Sequence, residues 1–515
     1  MATRKSDVAA APLMERETVH FAGGKPFVGS SKRRLDLFNP NTGGVRGQVV
    51  LANAADVDHV VQLAAQAQPA WAEQNPQRRA RVFFEFKRLL EARAQEFAEA
   101  LSAEHGKTVA DAKGEFQRGL DVVEFACGIP HLQKGEFTPS AGPGIDVFSM
   151  RLPLGVVVGI TPFNFPAMVG MWMFSIGAAV GNAVIMKPSE KVPNILNRLA
   201  ELFLEAGGPP GILNVVHGDR EAVDSLLTHP VVKAVSFVGS SDVAQHVYAT
   251  GAAHGKRVQA MGGAKNHGVV MPDANVEKLA QELIGAAFGS GGMRCMALPL
   301  IVAVGSGTGD RLRNRFIELT KTVRVGLSDD PNAQYGPLVA KAHYERVLSY
   351  IQLGVDEGAE LIVDGRGVKV PGHEDGYLLG PSVFDHVKPE MRSYREEIFG
   401  PVVQIVRVDT LEDAIKLASG HQYGNGVAIF TKNGRVAREF AHRVEVGMVG
   451  INVPLPVPVS YHSFGGWKRS AYGDMNQHGM EGVRFFTRVK TVTQRWPDAD
   501  DVTDPNAGFV IPTMR

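Results

Sequence analysis

The chain has 515 residues, enough for more than one packed core, since single cores stop growing near roughly 250–300 residues. Hydrophobic residues make up 44% and charged residues 21%, with 54 basic side chains against 54 acidic ones; this even balance excludes the basic footprint of a nucleic-acid or anionic-membrane binder. Two cysteines, Cys127 and Cys295, stand far apart without a CxxC or histidine-rich partner pattern, which excludes a disulfide scaffold and a structural zinc site, and no metal is expected.

The N-terminal stretch MATRKSDVAAAPLMERETVHF has no continuous apolar run and carries acids early, so it is a poor signal or transit peptide and a cytoplasmic location is expected. From Val82 to Leu101, apolar residues recur at helical spacing and predict one long amphipathic helix. A second helix carries Phe116, Leu120, Val123 and Cys127 as one stripe, which makes Cys127 a core thiol. No charge occurs between Arg151 and Lys187, a length that can span a bilayer. Pro153, Pro162, Asn164, Pro166, Asn182 and several glycines interrupt it, so it reads as strand, turn, buried helix and strand.

Short β-branched runs at Val156–Ile160, Ala183–Met186, Asn214–Val216 and Ala234–Val238 alternate with helical segments. Such alternation implies right-handed crossovers and a parallel, doubly wound α/β sheet whose crevice binds a nucleotide. No GxGxxG fingerprint opens a helix, so the dinucleotide fold is non-standard. After about residue 270 a second α/β pattern runs through Leu300–Val304, Val402–Val408 and Gly447–Asn452. Val147–Leu154 and Phe485–Arg495 are extended, apolar segments able to pair with each other or with another subunit.

Several short segments carry chemistry. Cys295 lies in Gly289-Ser-Gly-Gly-Met-Arg-Cys-Met-Ala297, ahead of an expected helix whose N-terminus, with Arg294, favours a thiolate; an isolated cysteine is otherwise inert. Asn164, in Thr161-Pro-Phe-Asn-Phe-Pro166, is either a turn asparagine or a donor to an oxyanion. In Lys187-Pro-Ser-Glu190, Glu190 can accept from a ribose and would repel a 2′-phosphate, favouring NAD over NADP. Phe237-Val-Gly-Ser240 ends a strand and opens a helix, where N–H groups suit pyrophosphate. Glu397 and Phe399, in Glu396-Glu-Ile-Phe-Gly-Pro401, can hold the nicotinamide half of a cofactor or be a solvated acid beside a core aromatic.

Together with Ser463-Phe-Gly-Gly-Trp-Lys468, these motifs stand in the order of the aldehyde dehydrogenase superfamily, which the chain resembles over nearly its whole length. The resemblance implies a Rossmann-type NAD domain (1–137 and 155–270), a catalytic domain (271–470), oligomerisation strands (138–154 and 480–500) and a C-terminal tail (501–515). It implies that Cys295 attacks an aldehyde, with the Asn164 amide and the Cys295 N–H on the oxyanion, and that hydride transfer to NAD leaves a thioester. Lys187 and Glu190 would hold the adenosine ribose, Ser240 the pyrophosphate and Glu397 the nicotinamide ribose, with Thr161, Phe163, Lys191 and Gly262 lining the cleft. A homotetramer built as a dimer of dimers is implied as well.

Hydrolytic members carry a glutamate that activates water in a Glu-Leu-Gly-Gly-Lys-like motif. The corresponding stretch here, Gln259-Ala-Met-Gly-Gly-Ala-Lys-Asn-His267, has no acid, so the thioester awaits a better nucleophile than water. Gly263 to His267 and Met293 to Ala297 resemble the CoA-acylating methylmalonate-semialdehyde dehydrogenase branch, which implies coenzyme A as co-substrate. Arg118 lies about 200 degrees from Phe116 around its helix, facing solvent or a polar cleft. By resemblance, Arg118 and Arg294 hold a substrate carboxylate. The expected reaction is oxidation of methylmalonate or malonate semialdehyde to propionyl-CoA or acetyl-CoA with loss of carbon dioxide, in valine, inositol or pyrimidine breakdown. The alternatives are a hydrolytic enzyme releasing a free acid and a non-catalytic protein on the same fold.

Overall fold

The computed structural model describes residues 17–496; the N-terminal stretch before Glu17 and the tail 501–515 lie outside the described residues. An eight-stranded sheet dominates the first half of the chain. Its five central strands are parallel and run in the spatial order Arg257–Met261, Val232–Val238, Val156–Ile160, Ala183–Lys187, Leu213–Val215. In chain order this is 5-4-1-2-3, the doubly wound arrangement, and the direction of winding reverses between Val156–Ile160 and Val232–Val238. The loops leaving those two strands therefore diverge and open a crevice at their carboxyl ends.

The uncharged stretch resolves into the strand Val156–Ile160, the helix Pro166–Ala179 and the strand Ala183–Lys187. Proline at the first helical position starts that helix, and every residue in it is buried, which is why it is apolar on all sides. No helix among the described residues is long and apolar enough to cross a membrane.

The expected helix over Val82–Leu101 is two helices, Pro76–Ala92 and Ala94–His105, broken at Arg93 (φ −111°, ψ 16°). The apolar stripe steps seven residues from Leu90 to Phe97, close to two full turns, so a one-residue break leaves the periodicity intact. The helix Val109–Cys127 buries Phe116, Leu120, Val123 and Cys127 on one face.

A second sheet of seven strands holds Leu300–Val304 at its centre, between His267–Val270 and Val402–Val408. All its pairings are parallel except that of the edge strand Glu360–Val363. A separate three-stranded sheet pairs Thr487–Arg495 antiparallel to Ile145–Pro153, from Thr487 opposite Pro153 to Arg495 opposite Ile145. The two extended segments thus pair with each other. The second starts later than its sequence suggests, because Phe485 closes the helix Gly479–Phe485.

Candidate active site

At the switch point lies a cleft of about 800 Å³, and every residue assigned to cofactor binding from the sequence lines it, as do Asn164 and Cys295. One end is built from strand termini. Lys187, the last residue of its strand, donates to the Gly218 carbonyl (2.8 Å) and faces Glu190 at 3.6 Å. Burial lowers the Lys187 ammonium from its ordinary value, and Glu190 opposes that shift. Ser240 caps the helix Ser241–Ala253 without using its side chain, leaving an exposed helix N-terminus in the cleft. Behind it, Ser241 Oγ accepts from the Gly263 N–H and donates to the Arg469 carbonyl, both at 2.8 Å.

Aromatic side chains form the wall farther along. Phe163 and Phe399 meet edge to face at 5.8 Å, and the Lys191 ammonium sits 5.0 Å from the Phe163 ring centroid. Phe399 has φ +62°, costly for an aromatic residue, and its turn is gripped from the helix Lys341–Asp356. From that helix His343 donates to the Phe399 carbonyl, while Arg346 donates to the Ile398 and Glu397 carbonyls, each at 2.7 Å. The Glu397 carboxylate accepts the Ala264 N–H (2.8 Å), and burial pushes its pKa up to about 7. A Cβ on Gly263 would meet Glu397 Oε2 at 2.5 Å, so only glycine admits the carboxylate there.

Cys295 follows a helix rather than opening one. The helix Val276–Phe288 runs into a short turn, Gly289–Gly292, and the next regular element after Cys295 is the strand Leu300–Val304. Pro299 and the β-branched run after it disfavour the expected helix. The loop is instead shaped by a left-handed run at Ser290, Gly291 and Gly292. A Cβ on Gly292 would lie 2.0 Å from the Gly400 carbonyl, so this glycine lets the cysteine loop pack against the Glu397 turn.

The side-chain amides of Asn266 (2.9 Å) and Asn425 (3.0 Å) both donate to the Cys295 carbonyl. Asn164 Nδ2 donates to the Met293 carbonyl at 2.9 Å, which uses one of its two N–H groups. Burial pushes the Cys295 thiol up to about 12, and the Glu397 charge adds to the shift. The N–H groups of Cys295 and Met296 act in the opposite direction by favouring the thiolate.

A family model for the aldehyde dehydrogenase family matches residues 27–492. The chain belongs to the aldehyde dehydrogenase family. It is 52% identical over 480 residues to the malonate-semialdehyde dehydrogenase of Pseudomonas aeruginosa, covering 93% of this chain and 97% of that one. The human mitochondrial acylating methylmalonate-semialdehyde/malonate-semialdehyde dehydrogenase is 45% identical, over 96% of this chain and 92% of its own. Among solved structures, a Sinorhizobium meliloti protein assigned as a methylmalonate-semialdehyde dehydrogenase and complexed with NAD superposes with a TM-score of 0.94 at 53% identity, covering 95% of this chain and all of that one.

Within this aldehyde dehydrogenase, Gln259 spends both ends of its side-chain amide on protein partners. Its amide oxygen accepts from Ser236 (2.8 Å) and its nitrogen donates to the Asn476 carbonyl (2.8 Å). The two arginines already have protein partners. Arg294 pairs with Asp111, and Arg118 Nη2 donates to the carbonyls of Val457 (3.1 Å) and Pro458 (2.8 Å). Each retains further N–H groups of its five-donor guanidinium.

Asn266, Asn425 and Asp111 carry no site signal in the sequence, because their partners lie 29, 130 and 183 residues away. No local pattern marks such contacts. A group of Glu360, Asp385 and His386 brings ligand atoms within 4.8 Å, but Arg313 and Arg407 bridge its carboxylates.

Proposed function

We propose that this aldehyde dehydrogenase is NAD-dependent and CoA-acylating, converting methylmalonate semialdehyde, and malonate semialdehyde, to propionyl-CoA and acetyl-CoA with loss of carbon dioxide. The observation that carries the reading is a cysteine at the foot of a dinucleotide-sized cleft, beside a Gln259–His267 stretch that offers no carboxylate. The names and identities of the relatives point the same way.

The cleft suits NAD. Thr161 Oγ1 is buried in it without a hydrogen-bond partner, Ser240 leaves a helix N-terminus open, and Glu190 offers an acceptor that disfavours a 2′-phosphate. Lys187 and Glu190 are assigned to the adenosine ribose, Ser240 to the pyrophosphate and Glu397 to the nicotinamide ribose, with Thr161, Phe163, Lys191, Gly262 and Phe399 as walls. Bound there, NAD supplies the hydride acceptor that the oxidation requires.

Cys295 gives up its proton to water and attacks the aldehyde carbon through sulfur. The second N–H of Asn164 and the Cys295 N–H receive the charge on the former carbonyl oxygen. The oxidised acyl group is held on Cys295 as a thioester. Its carboxylate leaves as carbon dioxide, the electrons of the broken C–C bond passing to the thioester as an enolate that takes up a proton. The thiol of coenzyme A then attacks the carbonyl, breaking the bond to Cys295 and releasing acyl-CoA. Arg294, adjacent to the nucleophile, and Arg118 are assigned to the substrate carboxylate through the N–H groups their protein partners leave open.

Residues 1–137 with 155–270 are assigned to NAD binding and 271–470 to catalysis. The three-stranded sheet, with Phe137 and Val489 exposed on it, is assigned to assembly of a cytoplasmic homotetramer. The reaction is tested by assaying the enzyme with NAD and methylmalonate semialdehyde, with and without coenzyme A, and identifying the product. Sustained turnover should need coenzyme A and yield propionyl-CoA. Full-rate formation of a free acid without it would overturn the acylating assignment.

A further inference from the structure

Two charged side chains without solvent exposure stand behind the Asn164 turn. Lys107 precedes the helix Val109–Cys127, and its ammonium lies 2.6 Å from the Glu115 carboxylate on the second turn, both side chains 0% exposed. The Lys107 ammonium also donates to the Asn164 carbonyl (2.6 Å) and sits 4.4 Å from the Phe165 ring centroid. The other Glu115 oxygen accepts the N–H groups of Ala167 (2.9 Å) and Met168 (3.2 Å), in the first turn of the helix Pro166–Ala179. The pair therefore grips the turn on both sides of Phe165.

A buried ion pair adds little net stability, because desolvation offsets its attraction, and an apolar pair of similar volume would fold as well. What it does supply is a fixed geometry for the backbone that carries the Asn164 amide. That amide spends one N–H on the Met293 carbonyl, two residues before Cys295, so the backbone at Asn164 decides where the second N–H lies relative to the sulfur.

We infer that Lys107 and Glu115 are positioning residues that hold the Asn164 amide in place for the oxyanion formed when Cys295 attacks. The inference rests on the reading of Asn164 as an oxyanion donor, and the test separates the two.

The decisive measurement is a double-mutant cycle on the pre-steady-state burst of NADH formation. Lys107→Met and the charge-free pair Lys107→Met/Glu115→Gln are each made in the native and Asn164→Ala backgrounds. The charge-free pair leaves no unpaired buried charge. It should slow the burst about 10- to 100-fold with Asn164 present and less than about threefold with Asn164→Ala, while NAD affinity stays within about twofold.

Equal losses in both backgrounds, or no loss in either, would overturn the positioning role. A full burst in Asn164→Ala alone would instead remove the oxyanion assignment and the inference with it. Should the charge-free pair fail to fold, Glu115→Gln is read in the same cycle, with the same background-dependent loss expected and the same equal losses counting against it.

Discussion

The two ends of the cleft are built on different principles. At the end assigned to the nucleotide, Lys187 closes a strand, Ser240 opens a helix, and each assigned group sits where a doubly wound sheet places loop residues in any case. At the end assigned to the nucleophile, Cys295 lies in an irregular loop with a left-handed run, tied by Asn266 and Asn425 and pressed against a turn whose Phe399 is itself left-handed. Binding therefore draws on local, repeatable geometry, whereas the chemistry depends on contacts between distant segments, any of which can misplace a reacting atom.

The contrast is sharpest if one end can be damaged while the other is spared. Asn164→Ala should lower kcat about 10²- to 10³-fold, the cost of losing one oxyanion donor, with the NAD dissociation constant unchanged within about twofold by fluorescence titration. Comparable losses in both quantities would mean that the ends are not separable.

A second test uses the thiol itself. With its pKa pushed up to about 12 in the free enzyme, Cys295 is mostly protonated at neutral pH, and each unit of rising pH exposes more thiolate. Iodoacetamide should label Cys295 about tenfold faster per pH unit between pH 7 and 10. Glu397→Gln removes a charge that opposes the thiolate, so labelling at pH 8 should quicken a few-fold. The difference should shrink near pH 6, because the native Glu397, with a pKa of about 7, is then protonated as well. A pH-independent labelling rate would contradict this account of the thiol's environment.

At the nucleotide end the smallest effect is expected. The Glu190 side chain is 31% exposed, so solvent screens its charge, and Glu190→Gln should raise the NADP-to-NAD ratio of kcat/KM only about three- to tenfold. A change of a hundredfold or more would show that this end, too, depends on a single buried contact.

The same division explains what was legible in the sequence. The strands Val156–Ile160 and Leu300–Val304 stand where the β-branched runs put them, because a parallel strand buried on both faces is a continuous apolar word. The Lys187-Pro-Ser-Glu190 turn was readable for the same local reason.

The surroundings of Cys295 were not. Glycines announced close packing there without naming Gly400 as the neighbour, and the expected helix after Cys295 yielded to Pro299 and the strand beyond it. Lys107 and Glu115 have the composition of surface charges, and only tertiary packing places them at zero exposure. The helix break at Arg93 was hidden because two stacked amphipathic segments keep one period.

The central claim is that an acyl group rests on Cys295 until coenzyme A removes it, and intact-protein mass spectrometry after rapid acid quench tests it most directly. Enzyme mixed with NAD and methylmalonate semialdehyde, without coenzyme A, should show one persistent acyl adduct per chain, mapped to Cys295 and absent from Cys295→Ala. Adding coenzyme A should discharge it at the rate of turnover. An adduct that disappears equally fast in buffer alone, or none at all during turnover, would contradict the account.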